Sequence, residues 1–233
     1  MTTPLLLLHG ALGAVDQFDR LVPLLADDFE VHCLDFEGHG QTPIQHETFH
    51  SDHFVENVTI YLDQHNLETV DIFGYSLGGY VASILAQQQP ERVRRIVALS
   101  TKFLWDAATA ERECKQLDVE KIKDKVPRFA EMLAKRHTAE GWENVVNRSQ
   151  DLLRANGEAG GLTPQFMATL SQPIRILVGD RDHTVSVEEG ATIYRVLQQG
   201  ELEILPKTPH PFERVPLERL VLSLKEFLGR TDR

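Results

Sequence analysis

Short apolar runs alternate along the chain with longer stretches in which apolar positions recur every three or four residues. The short runs predict strands, and the longer stretches predict amphipathic helices. Several runs are nearly continuous in Leu, Ile and Val, which is typical of parallel strands buried on both faces. The alternation therefore predicts an α/β fold with a mostly parallel sheet of six strands or slightly more, flanked by helices. The six strand-like runs are Pro4–Leu8, Phe29–Phe36, Thr69–Phe73, Arg95–Leu99, Ile174–Val178 and Leu202–Leu205.

One long segment interrupts this alternation. Between residues 102 and 165 no strand-like run occurs, and the sequence is polar, charged and favourable to helix. A glycine-rich stretch at 157–161 predicts a turn or hinge near its end. We predict an α/β core formed by residues 1–101 and 166–233, with a helical insertion of about four short helices at 102–165.

Composition excludes several classes of partner. The chain has 233 residues, 42% of them hydrophobic, and a net charge of −11. The scattered Lys and Arg form no basic stripe of the kind that binds nucleic acid. The run Leu5–Leu8 is too short for a signal peptide, and no stretch approaches the roughly 18 apolar residues of a membrane span. Cys33 and Cys114 lack metal-ligand spacing and fit reduced thiols. We expect a cytoplasmic monomer or homodimer without a nucleic-acid or membrane partner.

The strongest chemical signal is Gly74-Tyr75-Ser76-Leu77-Gly78, which lies between a strand-like run and a helix-like stretch that Pro90 ends. A serine at such a strained turn projects its hydroxyl beyond the sheet. The flanking glycines are needed because the strand and helix backbones approach too closely there for a Cβ atom. The pattern predicts that Ser76 is a nucleophile; the alternative is a helix that merely begins with small residues.

A serine nucleophile requires a histidine as general base and a carboxylate to orient it, in the chain order Ser, Asp or Glu, His. Asp180-Arg181-Asp182 directly follows the run Ile174–Val178, and His210 follows the run Leu202–Leu205. The carboxyl ends of parallel strands meet at the edge where open α/β sheets place their sites. We therefore expect Ser76, an aspartate and His210 to converge there.

The base and the carboxylate each have an alternative candidate. His183 also lies near the aspartates, but it precedes a helix instead of following the last strand, and chain order favours His210. Asp180 and Asp182 remain alternatives on this reasoning, since one could orient the imidazole while the other caps the loop.

Several motifs follow one another across nearly the whole chain: Leu8-His9-Gly10, Asp35-Phe36-Glu37-Gly38-His39-Gly40, Gly74-Tyr75-Ser76-Leu77-Gly78-Gly79, Gly179-Asp180-Arg181-Asp182 and His210. Together they resemble the α/β-hydrolase superfamily, in its compact esterase, haloperoxidase-like and C–C-hydrolase-like branch. The resemblance implies that Asp182, at the last position of its Gly-x-x-Asp turn, is the acid. It also implies that the backbone N–H groups of Ala11 and Leu77 form the oxyanion hole, and that segment 102–165 is a helical cap over the pocket.

The chain departs from the family pattern in two places. It begins almost directly on the first strand, without the usual preceding hairpin, so the run Phe29–Phe36 is expected at an exposed sheet edge. The predicted base His210 lies between Pro209 and Pro211, where family members usually have a glycine before the histidine. The two prolines would hold His210 stiffly.

These residues predict a serine hydrolase acting by acyl transfer on a small-molecule substrate, most simply a carboxylesterase for small or medium uncharged esters. A C–C bond hydrolase or a menaquinone-pathway synthase-like lyase could use the same three residues. A non-catalytic binding protein of the same fold is a further alternative. No metal or organic cofactor is expected. Cap aromatics could line the pocket, or could simply pack the cap onto the core; they are Phe103, Trp105, Phe129 and Trp142, with Met132 beside them.

Overall fold

A single parallel sheet organises the molecule in the computed structural model, which describes residues 4–230. The sheet has six strands in the order β2-β1-β3-β4-β5-β6, and every neighbouring pair is parallel. This confirms the predicted fold class. The strands are β1 (Pro4–Leu8), β2 (Glu30–Leu34), β3 (Val70–Tyr75), β4 (Val93–Leu99), β5 (Ile174–Gly179) and β6 (Gly200–Leu205).

Burial on both faces explains the continuous apolar runs. In β1, Leu6 and Leu8 belong to one hydrophobic cluster, and Leu5 and Leu7 belong to a second cluster on the opposite face. All four side chains are fully buried. Successive strand residues point to opposite faces, so a strand covered by helices on both sides needs an apolar residue at every position.

The two ends of the sheet are less buried than its centre. Within residues 4–230, β2 is hydrogen-bonded to β1 alone, and β6 to β5 alone. The residues of β2 are intermediate in burial or exposed, whereas those of β3 are all buried. The strand predicted from the run Phe29–Phe36 therefore does lie at a sheet edge, and a charged residue, Glu30, begins it.

Helices cover both faces of the sheet. In the described part of the chain, α2 and α3 pack on the first cluster, and α10 packs on the second. Three short 3₁₀ turns, at Val15–Phe18, Pro90–Arg92 and Phe212–Arg214, complete the elements. The helices are α1 (Val22–Leu25), α2 (Ser51–Gln64), α3 (Leu77–Gln88), α4 (Ala107–Cys114), α5 (Val119–Lys125), α6 (Pro127–Arg136), α7 (Trp142–Ala159), α8 (Pro164–Met167), α9 (Val187–Tyr194) and α10 (Leu217–Leu228).

The helices between β4 and β5 form a segment whose two ends are tied together. Leu104 and Gly161 form an isolated antiparallel bridge, and the N–H of Leu162 donates to the carbonyl of Phe103 at 2.8 Å. Helices α4 to α7 lie between these contacts, and we call residues 102–165 the helical segment. Its treatment as a separate cap stays a prediction. Within residues 4–230, no helix combines the length and apolar character that crossing a membrane requires.

Candidate active site

Ser76 lies at the turn between β3 and α3, at the carboxyl end of a central strand. Its backbone has φ 51° and ψ −112°, a conformation that non-glycine residues rarely adopt and that raises the local energy by about 1–3 kcal/mol. The turn is held in place because the N–H of Ser76 donates to the carbonyl of Leu99 in β4 at 2.8 Å. Strain of this kind is typical of a nucleophile turn.

Close backbone approach around Ser76 explains the two flanking glycines. A Cβ atom on Gly78 would overlap the carbonyl oxygen of Leu8 in β1, and one on Gly74 would overlap the backbone nitrogen of Gly79. Each of these neighbours is backbone and cannot move aside as a flexible side chain would. The glycine requirement predicted from the sequence therefore has a direct steric cause.

His210 and Asp182 form a hydrogen-bonded pair at the same sheet edge. The Nδ1 atom of His210 lies 2.9 Å and 3.1 Å from the two carboxylate oxygens of Asp182. Because a carboxylate accepts hydrogen bonds, Nδ1 carries the proton and Nε2 is the ring nitrogen left as an acceptor. The Asp182 side chain is fully buried, whereas about a quarter of the His210 side chain is exposed.

The loop around Asp182 keeps its carboxylate charged. Burial by itself would raise the pKa of Asp182, but hydrogen bonding and charge from His210 outweigh it, and the net pKa is lowered. The N–H groups of Thr184 and Val185 also donate to its Oδ1 atom, each at 2.9 Å. A buried, ionised carboxylate is suited to orient an imidazole and to stabilise its charged form.

The structure separates the alternatives that the sequence left open. Asp180 accepts from the N–H of Thr208 at 3.2 Å, so it braces the loop before His210 while Asp182 holds the imidazole. His183 has an exposed side chain and does not line the cavity that contains Ser76 and His210.

A cavity of about 330 Å³ brings the candidate residues together. Ser76 and His210 line it from the sheet edge, and helices of the helical segment line it from the opposite side. Ala11 and Leu77 also line this cavity. Leu77 is the first residue of α3, where a backbone N–H has no partner within the helix. Ala11 lies in a turn that the N–H of Gly13 closes onto the carbonyl of Gly10 at 2.9 Å.

The four aromatic residues expected to line the pocket divide into two groups. Trp105 and Phe129 line the cavity, and the indole N–H of Trp105 donates to the carbonyl of Lys102 at 3.0 Å. Phe103 and Trp142 lie outside its lining, so a role for these two in substrate binding stays a prediction that this cavity does not support. Phe103 is fully buried at the base of the helical segment, and Trp142 is almost fully buried within it.

Met132 likewise packs against the core cluster and lies outside the cavity lining. Helical periodicity does not say which apolar face meets a cavity and which meets another helix. The contacts of Phe103, Trp142 and Met132 are packing contacts: the first two belong to the first hydrophobic cluster, and Met132 packs against it.

Sequence reasoning missed two buried cations in the cavity wall. Lys102 pairs with Glu189 at 2.7 Å, and each side chain is only 10% exposed. Arg136 pairs with Asp16 at 2.8 Å and is only 6% exposed. Both cations line the cavity. Their partners lie 87 and 120 residues away in the chain, so no local pattern could have revealed the pairs.

Three other histidines are buried close to the site and act as structural groups. His9 accepts at Nε2 from the N–H of Phe36 at 3.1 Å and donates from Nδ1 to the carbonyl of Gly10 at 2.8 Å. Burial lowers the pKa of His39 to about 3 and that of His137 to about 4, and it holds the pKa of His9 well below the usual range. All three are therefore neutral near pH 7.

One group of potential metal ligands is present among the described residues, away from the cavity. Atoms of Glu37, His46 and His53 lie within 4.8 Å of one another. Nδ1 of His46 donates to the buried Glu37 carboxylate at 2.9 Å, and the N–H of Gln45 donates to the same group at 3.0 Å. His53 in turn contacts the carbonyl of Thr48 through its Nδ1 atom at 3.1 Å.

The family follows from a match that covers most of the chain. A family model described as alpha/beta hydrolase fold matches residues 3–172. The chain belongs to this family. The matched region contains Ser76 and the whole helical segment, but it ends before Asp182 and His210. The assignment of those two residues therefore depends on their contacts in the structure.

Two similar proteins match this chain over only part of their own length. It is 35% identical over 107 residues to a mouse serine hydrolase-like protein, covering 45% of this chain and 34% of that one. It is 37% identical over 100 residues to the pimeloyl-[acyl-carrier protein] methyl ester esterase of Aeromonas hydrophila, covering 42% of this chain and 37% of that one. The chain thus aligns with only about a third of each of these relatives.

A solved structure extends the similarity to the whole fold. The crystal structure of a putative lipase from Acinetobacter baumannii superposes with a TM-score of 0.83 at 20% identity. The superposition covers 98% of this chain and 84% of that one. At this level of identity the similarity establishes the shared α/β-hydrolase fold.

Proposed function

We propose that this protein is a serine hydrolase that cleaves carboxylic esters by acyl transfer, with Ser76, His210 and Asp182 as its catalytic residues. The observation that carries the proposal is the buried Asp182–His210 hydrogen bond on the wall of the cavity that also holds Ser76 in its strained turn. The similarity to the methyl ester esterase of Aeromonas hydrophila points the same way.

The first chemical step is acylation of the serine. Oγ of Ser76 attacks the substrate carbonyl while Nε2 of His210 takes the hydroxyl proton, and Asp182 stabilises the resulting imidazolium. The carbonyl oxygen becomes an oxyanion that accepts from the backbone N–H groups of Ala11 and Leu77. One such donor is worth about 3–4 kcal/mol of the barrier.

Collapse of the tetrahedral intermediate completes the acylation of Ser76. The C–O bond to the leaving alcohol breaks, and His210 returns the proton to that alcohol. A water molecule then gives a proton to His210 and attacks the ester of Ser76 through the same kind of intermediate. The acid is released and the hydroxyl of Ser76 is restored.

The cavity favours a small or medium, uncharged acyl group. Its volume of about 330 Å³ lies at the lower end of the range for small-molecule sites. The two cations in its wall, Lys102 and Arg136, are each paired with a carboxylate. Neither charge is free to bind an anionic substrate, and Trp105 and Phe129 add apolar surface.

Labelling with a fluorophosphonate probe tests the nucleophile. We expect the wild type to react and Ser76→Ala not to react. Ser83→Ala is the control and should react, because Ser83 is buried in α3 and lies outside the cavity lining. Labelling that survives in Ser76→Ala would refute the assignment of the nucleophile. An unlabelled wild type would favour a binding protein of the same fold.

A substrate panel tests the reaction class. We expect p-nitrophenyl acetate and butyrate to be cleaved faster than long-chain esters, and phenolic diketo acids to be cleaved slowly. Faster cleavage of the diketo acids would replace the esterase proposal with C–C bond hydrolysis or the related lyase chemistry. The substrate class, like the expected cytoplasmic location, stays a prediction until it is measured.

A further inference from the structure

The turn that carries Ala11 is held from the far side by the end of helix α6. The carbonyl of Leu12 accepts two hydrogen bonds, from Nη1 of Arg136 at 3.2 Å and from Nε2 of His137 at 3.1 Å. Both donors lie where α6 ends, more than 120 residues further along the chain. The helical segment therefore contacts the catalytic edge of the sheet through the residue that follows Ala11.

The turn needs this support because its backbone is strained. Leu12 has φ 58°, and it occupies a position in the Gly10–Gly13 turn where a positive φ is normally supplied by glycine. A side chain at such a position strains the backbone. Contacts elsewhere must hold the turn in this form, and the two bonds to the carbonyl of Leu12 are suited to do so.

The protonation of His137 fits this task. Its Nδ1 atom accepts from the N–H of Gly40 at 3.0 Å. A backbone N–H can only donate, so the single proton of the neutral ring must reside on Nε2, which faces the carbonyl of Leu12. Burial lowers the pKa of His137 to about 4, so this neutral form persists across the neutral range.

Arg136 extends the same connection to the opposite side of the site. Its guanidinium pairs with Asp16 at 2.8 Å and lies 3.8 Å from Glu213, which follows His210 by three residues. Glu213 also accepts from Nε2 of Gln17 at 3.3 Å. One side chain of the helical segment thus contacts both the turn of Ala11 and the loop that carries His210.

We propose that Arg136 and His137 are positioning residues that hold the Gly10–Gly13 turn, and with it the N–H of Ala11, in the orientation needed to stabilise the oxyanion. This inference rests on the proposed hydrolase function, because it assigns the N–H of Ala11 to that oxyanion. It gives Arg136 and His137 a positioning role in the reaction, in addition to the place of Arg136 in the cavity wall.

Steady-state kinetics of His137→Ala provide the main test. A catalytic group misplaced by about 1 Å can lower the rate about 10²-fold, so we expect kcat to fall by about 10–100-fold. The KM for p-nitrophenyl acetate should change less than about twofold, because binding in the ground state does not need the oxyanion contact. Added imidazole should restore part of kcat by filling the vacated site. The matched control is Lys135→Gln, an exposed neighbour on the same helix, which should retain wild-type kcat.

Hydrogen exchange at the N–H of Gly13 gives a readout that is independent of activity. This N–H closes the turn onto Gly10, so loosening of the turn should raise its exchange rate. We expect about tenfold faster exchange in His137→Ala and no change in Lys135→Gln. A folded His137→Ala protein with wild-type kcat and wild-type exchange at Gly13 would overturn the proposal.

Two further outcomes are distinguishable. If His137→Ala does not fold, Arg136→Gln removes one donor to the carbonyl of Leu12, and unchanged kcat and unchanged exchange at Gly13 would then overturn the proposal. If the wild type lacks both esterase activity and reaction with a fluorophosphonate, the proposed function fails. The exchange rate of Gly13 would still show whether α6 holds the turn.

Discussion

The hydroxyl of Tyr75 donates a hydrogen bond to the backbone carbonyl of His210 at 2.9 Å. Tyr75 is the residue directly before Ser76, so the strand that presents the serine also holds the loop that presents the histidine. Burial is the main cause that raises the pKa of Tyr75 above its usual range, which keeps the hydroxyl protonated as a donor. The two rings lie 5.6 Å apart between centroids.

This contact predicts the effect of Tyr75→Phe. The change removes a hydroxyl and leaves the buried ring in place, so we expect a loss of stability of only about 1 kcal/mol. The loop of His210 loses the hydrogen bond from the Tyr75 hydroxyl. Because the base is then less well aligned, kcat should fall about tenfold. Tyr194→Phe, at a half-exposed site on α9, is the control. Equal kcat values for the two variants would show that Tyr75 does not align His210.

A pair of matched variants separates the two aspartates of the acid loop. Asp182→Asn should lower kcat by about 10⁴-fold, because an amide favours the wrong histidine tautomer and cannot stabilise the imidazolium. Asp180→Asn keeps an oxygen that can accept from the N–H of Thr208, so its kcat should stay within about threefold of the wild type. Ester hydrolysis by both variants, under the same conditions, measures this difference. The reverse order of effects would exchange the roles of the two residues.

Neutralising Glu189 should change substrate preference. Glu189→Gln keeps an acceptor for the N–H groups of Phe103 and Leu104, which both donate to the carboxylate at 3.0 Å. It removes the charge that pairs with Lys102, leaving an unpaired cation in the cavity wall. We compare kcat/KM for an ester with an acidic acyl chain with kcat/KM for its neutral analogue. The first value divided by the second should rise about tenfold, which corresponds to about 1.4 kcal/mol.

The same variant should also lose stability, by about 3 kcal/mol, since it leaves a buried charge without its partner. Urea denaturation measures this loss. Glu188→Gln is exposed and serves as the control for both measurements. An unchanged substrate ratio in Glu189→Gln would mean that Lys102 does not face the bound acyl group.

Buried neutral histidines predict acid sensitivity. The pKa of His137 is about 4 and that of His39 about 3 in the folded protein, against about 6.5 in an unfolded chain. Below pH 6.5 the unfolded chain therefore binds protons that the folded protein excludes. Stability is fully present above that pH and falls as the pH decreases towards these folded values, by up to about 1.4 kcal/mol per pH unit for each residue.

Urea denaturation at pH 7, 6 and 5 measures this loss. We expect His137→Gln to show a shallower dependence on pH than the wild type, because its titrating group is gone. His65→Gln, an exposed histidine, should follow the wild-type curve. A wild-type free energy of unfolding that stays constant between pH 7 and pH 5 would contradict the prediction.

Much of the fold could be predicted because its signals are local. A parallel strand covered on both faces must be apolar at every position, so all six strands were identifiable, with errors of at most two residues at either end. Helix ends are harder to predict than strands: α2 begins at Ser51, and the side chain that caps it is that of His50. Adjacent polar residues can exchange that role without a visible change in the pattern.

The sequence by itself determined which residues reach the carboxyl edge of the sheet, because strand order along the chain places Ser76, the aspartate pair and His210 at strand ends. It also indicated the glycines around Ser76, although only the need for Gly74 is local: a Cβ atom there would meet Gly79 of the same turn, whereas one on Gly78 would meet Leu8 of β1. Only the tertiary structure showed that Asp182, and not Asp180, contacts His210, and only it showed which aromatics face the cavity and which cations lie in its wall. Each of these features depends on contacts between residues that are far apart in the sequence. Tertiary packing brings such residues together, and a local sequence pattern does not reveal it.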